Sequence, residues 1–197
     1  FFIIIKDLEQ ESCFILMSWS LAIMGYKGRK SKREKYMLSL PLVSIADGAR
    51  ILPEDAGQLN RPLQALPDEQ RDYLLPRAIQ SALTRFQFTD SVQFATEAVS
   101  KVCDSENDRL DSELSMVRYI TWAIPSIGFI GTVRGIGAAL GQTYQAMDGN
   151  ITGVTNSLSI AFNSTFVALL ISMVVMFFMH QLQLNQERLV LDCHAYC

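Results

Sequence analysis

From Tyr119 to Gln186 the only Asp, Glu, Lys or Arg side chains are Arg134 and Asp148. A run this poor in charge is foreign to water-soluble globules, in which about a quarter of residues are charged. Charged residues make up 19% of the 197-residue chain, and most of those remaining lie between Lys27 and Arg118. A hydrophobic content of 49% argues against disorder. A net charge of −3, with the basic residues in one short cluster, argues against a nucleic-acid partner. The chain reads as a membrane protein with a cytoplasmic helical part.

Two segments are long enough to cross a bilayer. Leu158 to Met179 is free of charge and reaches about 33 Å as a helix, against a hydrocarbon core of about 30 Å. Tyr119 to Leu140 is as long, with Arg134 its single charge. Cys13 to Tyr26 reaches only about 21 Å, and becomes a full span when extended back through Gln10, Glu11 and Ser12. Lys27, Arg29, Lys30, Lys32, Arg33 and Lys35 follow it at once, so the positive-inside rule puts them in the cytoplasm. The connection from Gln142 to Asn156 has no Lys or Arg, as an exported loop should.

The expected fold is an all-α integral membrane bundle with three spans, two of them prolonged into a cytoplasmic helical domain. Residues 1–12 form a periplasmic or interfacial segment, 13–26 the first span and 27–117 the cytoplasmic helical domain. Residues 118–141 form the second span, 142–156 a periplasmic loop, 157–180 the third span and 181–197 a cytoplasmic C-terminal helix. The opening run Phe1 to Ile5 reads as the tail of a longer apolar segment or an interfacial anchor, with native chain expected before it. Pro41, Pro53, Pro62, Pro67 and Pro76 divide the first half into short pieces. Asp68, Glu69 and Gln70 after Pro67 look like the first turn of a helix. From Thr89 to Met116 apolar residues recur at helical spacing without Pro or Gly, which predicts one helix running on into the second span.

Inside the spans the small residues are ordered. Gly128, Gly131, Gly135 and Ala138 share one helical face, and Thr132 lies beside them. Ser157, Ala161, Ser164, Thr165, Ala168 and Ser172 form a matching stripe, with Asn163 alongside. Such faces let helices approach closely in lipid, and packing alone accounts for them. Arg134 is costly to bury and stands about 200° from Thr132, so it faces a neighbouring helix, a second subunit or the headgroups. Neither long span holds Asp or Glu, so a proton path here would need a carboxylate from another protein.

Other chemistries find little support. Gly135, Gly137 and Gly141 mimic a dinucleotide fingerprint, but no strand precedes them. Cys13 and Cys103 are scattered, and the spacing Cys193-His194-Ala195-Tyr196-Cys197 fits no common zinc pattern. His180 and His194 are isolated. No catalytic constellation, metal or cofactor is expected.

The run Pro125-Ser-Ile-Gly-Phe-Ile-Gly-Thr-Val-Arg-Gly-Ile-Gly137, followed by Ala161-Phe-Asn-Ser-Thr165, resembles the MotA/TolQ/ExbB proton-channel family. That family's Pro-x-x-Gly-x-x-Gly-Thr-Val-x-Gly pattern is matched at Pro125, Gly128, Gly131, Thr132, Val133 and Gly135, and its Ala-x-x-x-Thr at Ala161 and Thr165. Arg134 stands where the ExbB and TolQ branches commonly carry an aromatic residue. The resemblance implies a bacterial inner-membrane pentamer around a dimer of a single-span partner like ExbD, TolR or MotB, whose membrane Asp carries the proton. It further implies that Thr132 and Thr165 face this Asp, and that Pro125 loosens the helix beside them. Proton flow would turn the ring and deliver force to a client. The competing expectation is a helical membrane scaffold that conducts no ions.

Overall fold

The structure is a computed structural model that describes residues 8–38, 53–147 and 150–197. The apolar run at residues 1–5, Pro41 and Asp148 lie outside the described residues. Among the described residues seven helices follow in order: α1 (Leu8–Leu38), α2 (Pro53–Gln64), α3 (Asp68–Arg71), α4 (Leu74–Thr89), α5 (Val92–Gly141), α6 (Thr143–Met147) and α7 (Thr152–Tyr196). No strand occurs among the described residues, so the chain there is all-α. α5 does run unbroken from the helical pattern that ends at Met116 into the apolar span. The stretch expected as a loop over 142–156 holds α6 and the first turn of α7.

The chain divides into two compact units. One comprises Phe1–Tyr26 with Leu114–Gln181, the other Lys27–Glu113 with Leu182–Cys197. α1, α5 and α7 each supply one part to either unit.

In the first unit the buried positions are small or polar as often as they are apolar. Cys13, Ser20, Thr121, Ile124, Ala161, Ser164, Ala168 and Val175 are all buried. Large apolar side chains point outward instead, among them Trp122, Phe129, Ile130, Val133, Phe162, Phe166, Met173 and Phe177. Only 28% of the most apolar window in α5, and the same share in α7, is buried. A soluble core helix would hide most of that surface, so these two helices are dressed for lipid or for other membrane helices. α1 does not meet the same test of length and apolarity; Glu11 and Lys27 bracket a short run.

Pro125 sits inside α5 without ending it. Proline has no N–H, so the carbonyl of Thr121, one turn earlier, loses its helical donor. Ser172 Oγ on α7 donates to that oxygen at 3.3 Å, replacing the lost bond from across the helix pair.

The second unit is a water-type core. Leu63, Leu74, Leu75, Ala78, Ile79, Val99, Cys103, Val190 and Cys193 form one buried cluster from α2, α4, α5 and α7. Its prolines act by position. Pro53 opens α2, Pro67 precedes α3, and Pro76 lies in the first turn of α4, where the missing N–H is unneeded. Pro62 instead lies inside α2, near its end, and does not divide it. Asp90 closes α4 in the left-handed region at φ 49°, its N–H returning to the Phe86 carbonyl.

Candidate functional site

Within the first unit α5 and α7 are antiparallel, and their small residues pair in register. A Cβ built on Gly128 would stand 2.6 Å from Ala168 Cβ, one on Gly131 2.5 Å from Ser164 Oγ, and one on Gly135 2.5 Å from Ala161 Cβ. The three glycines therefore set how near the two backbones come. Pro125, Gly128, Gly131 and Gly135 lie on α5, and Ala161, Ser164 and Ala168 on α7, where all three of the latter are buried in the seam. This stripe is occupied by helix packing.

At this seam Thr132 and Thr165 meet. Their Oγ1 atoms are in direct contact. Thr165 Oγ1 donates to the Gly128 carbonyl at 2.9 Å, while Thr132 Oγ1 lies 3.2 Å from that oxygen and 3.3 Å from the Ala161 carbonyl. With Thr165 committed to Gly128, the Thr132 proton can go to any of three oxygens, and the Thr132 lone pairs stay available. Both threonines are half-buried. A hydroxyl so placed can accept from a carboxylic acid or donate to a carboxylate with a small rotation.

Two residues beyond Thr132 on α5 stands Arg134. Its Nη2 lies 2.8 Å from Glu9 Oε2 on α1, with Arg134 about half exposed and the Glu9 side chain only 12% exposed. The contact is one of charge, without the alignment of a hydrogen bond. Glu9 Cγ packs 3.6 Å from where a Gly131 Cβ would stand. An unpaired Arg in a membrane helix costs roughly 3 kcal/mol at the helix centre, which gives the pairing its physical sense. The contact of Glu9 with Arg134, far along the chain, has no local mark in the sequence.

In the second unit, part of the basic cluster is turned inward. Lys27 Nζ binds Glu113 Oε2 at 2.5 Å, and Arg109 reaches both Glu106, at 2.7 Å, and Glu113, at 3.7 Å. Arg77 meets the other oxygen of the buried Glu106 at 3.1 Å. Burial acts to raise the Glu113 carboxyl, but the Lys27 hydrogen bond and charge, helped by Arg109 and Lys30, hold it below the usual range. Burial pushes Glu34 up, with Glu106 adding to it, against the opposing pull of Lys30 and Arg109. Lys27, Glu34, Arg109, Glu113 and Gln186 line a cavity of about 20 Å³, room for a single water. Among the described residues no three His, Cys, Asp or Glu side chains are placed to hold a metal ion. His194 instead shares a hydrogen bond with Ser100 at 3.1 Å.

An apolar hairpin with its rings outward and its hydroxyls in a small-residue seam defines a helical membrane protein with a polar intramembrane site. The sequence model of the MotA/TolQ/ExbB proton channel family matches residues 67–194, well over half of the chain, and the chain belongs to that family. This is the family that the Pro125 to Gly137 pattern resembles. No curated protein and no solved structure matches the chain.

Proposed function

We propose that the chain is the stator-type subunit of a proton-driven complex in the bacterial inner membrane. Five copies surround a dimer of a single-span partner of the ExbD, TolR or MotB kind. Residues 13–26 complete a third span, the basic cluster from Lys27 to Lys35 faces the cytoplasm, and the N-terminal side of that span is periplasmic. The partner's membrane carboxylate carries the proton past Thr132 and Thr165.

The observation that carries this reading is the contact between the two threonine hydroxyls above the shared Gly128 carbonyl. The two hydroxyls come from two spans that carry no Asp or Glu, so the proton-carrying acid is the partner's. As the ring turns, the partner's acid meets Thr132, gives or takes a proton with water, and leaves with its charge changed. The outward rings of α5 and α7 supply apolar surface for lipid and for neighbouring copies. Family membership supports the same assignment.

The test is purification from the native membrane in mild detergent, with the assembly weighed by native mass spectrometry. The proposal expects five copies of this chain and two of a co-purifying single-span protein with an Asp in its membrane helix. A ring that purifies with no such protein points to a scaffold that conducts no ions, and overturns the proposal.

A further inference from the structure

We propose that Cys197, Cys193 and Cys103 form a peroxide-responsive thiol relay that ends in a disulfide between Cys193 on α7 and Cys103 on α5. The chain has four cysteines, and three of them meet in the second unit. The Cys193 thiol is in hydrogen-bond contact with both Cys103 and Cys197. All three are free thiols on a gradient of access, Cys197 exposed, Cys193 and Cys103 buried in one apolar cluster. The Cys197 N–H returns to the Cys193 carbonyl at 3.2 Å, which holds these two residues one turn apart. Cys103 joins them only through the packing of that cluster, so its spacing in the sequence hides the meeting.

The thiolate is the nucleophilic form of cysteine, and the order of reaction follows from where it forms. Hydrogen bonding by Cys193 pulls the Cys197 thiol below its ordinary value, against the opposing effect of burial. The same contact, with burial, pushes Cys193 up, and burial pushes Cys103 up. Hydrogen peroxide therefore reacts first at exposed Cys197: its O–O bond breaks, one oxygen joins the sulfur as sulfenic acid, and the other leaves as water. The Cys193 sulfur then attacks the sulfenic sulfur, and its proton departs with the hydroxyl as a second water. Cys103 next attacks Cys193 and expels Cys197, which takes up the Cys103 proton. The least basic thiol is the best leaving group, so the exchange runs inward. Two thiols have lost two hydrogens, the peroxide has become two waters, and Cys197 is ready again. A reducing compartment keeps all three as thiols until peroxide arrives.

The test uses the chain purified from its native membrane in mild detergent, reduced, freed of reductant and exposed to hydrogen peroxide. Free thiols are capped with N-ethylmaleimide and linked peptides are mapped by mass spectrometry. A Cys103–Cys193 link within one chain is expected, with Cys197 capped. Cys197→Ser is expected to slow its formation about tenfold or more, and Cys13→Ala, in the first unit, to change the rate by less than about twofold. Cys103→Ala is expected to stop the relay at a Cys193–Cys197 link.

A parental rate in Cys197→Ser overturns the proposal, and so does a parent whose three thiols all remain capped. Cys197 carried on to sulfinic acid while Cys103 and Cys193 stay thiols overturns it too, as does a link that joins only separate chains. Should Cys103→Ala fail to fold, dimedone decides on the parent chain. A brief exposure is expected to trap the sulfenic acid at Cys197, and an adduct at Cys103 or Cys193 instead overturns the relay.

Discussion

Thr132 on α5 and Thr165 on α7 touch through their hydroxyl oxygens, and both approach the carbonyl of Gly128. The contact exists because three glycines on α5 face two alanines and a serine on α7, so the backbones come close enough for short side chains to meet. Packing and chemistry are therefore built from the same residues. A change that spreads the seam should also separate the hydroxyls.

Gly135→Ala should do so. The new Cβ would lie 2.5 Å from Ala161 Cβ, 3.0 Å from its Cα and 3.2 Å from the Ser157 carbonyl, and none of these can rotate away. A cost of about 1–3 kcal/mol is expected from such overpacking. Gly137→Ala, with nothing within 4 Å of its Cβ, is expected to leave stability unchanged or raise it by up to about 1 kcal/mol. Thermal unfolding in detergent compares the two; equal midpoints would mean that the seam is looser than described.

Ser172 and Pro125 should be coupled. Ser172→Ala leaves the Thr121 carbonyl without its replacement donor, at a cost of about 1–3 kcal/mol. Pro125→Ala restores a backbone N–H, so in that background the loss of Ser172 should cost under about 0.5 kcal/mol. A double-mutant cycle on unfolding midpoints measures the coupling. Additive losses would show that Ser172 does not serve this carbonyl.

Glu106 anchors the second unit. It is 3% exposed and holds Arg77 and Arg109, each about two-fifths exposed. Glu106→Ala should cost about 3 kcal/mol, since it removes the shared anion at the centre of the cluster. Arg77→Ala should cost less, because Arg109 still compensates the buried carboxylate. Urea unfolding of the detergent-purified chain ranks them, and the reverse order would contradict the assignment.

The raised Glu34 carboxyl gives a pH signature. The folded chain holds this proton to higher pH than the unfolded one, so stability falls as pH rises from the ordinary carboxylate range through the raised value. Above that value the ionised group is a constant penalty. Glu34→Gln should therefore raise the unfolding midpoint at about pH 7.5 and change it much less near pH 4. A gain of equal size at both pH values would remove the carboxyl as the cause.

The charge gap from Tyr119 to Gln186 was enough to read an all-helical membrane chain and its two long spans, because composition at that scale leaves few alternatives. The fixed spacing of Pro125, Gly128, Gly131, Thr132 and Gly135 pointed to the family for a similar reason: it is local and repeats a helical face. What stayed hidden depends on distant partners. Nothing near Glu9 announces Arg134, and nothing near Ser172 announces the carbonyl freed by Pro125. Lys27 reads in the sequence as one member of a topogenic cluster, and in the structure it pairs with Glu113. Pro62 reads in the sequence as a break, but it falls near the end of α2, where little helix remains to be disrupted.

The central claim is that protons pass at Thr132 and Thr165, and proton influx into liposomes holding the purified complex tests it most directly. Valine matches threonine in shape and lacks the hydroxyl. Thr132→Val and Thr165→Val should each lower influx about tenfold or more while the complex keeps its mass, and Thr132→Ser should keep most of it. Full influx in both valine variants would contradict the account.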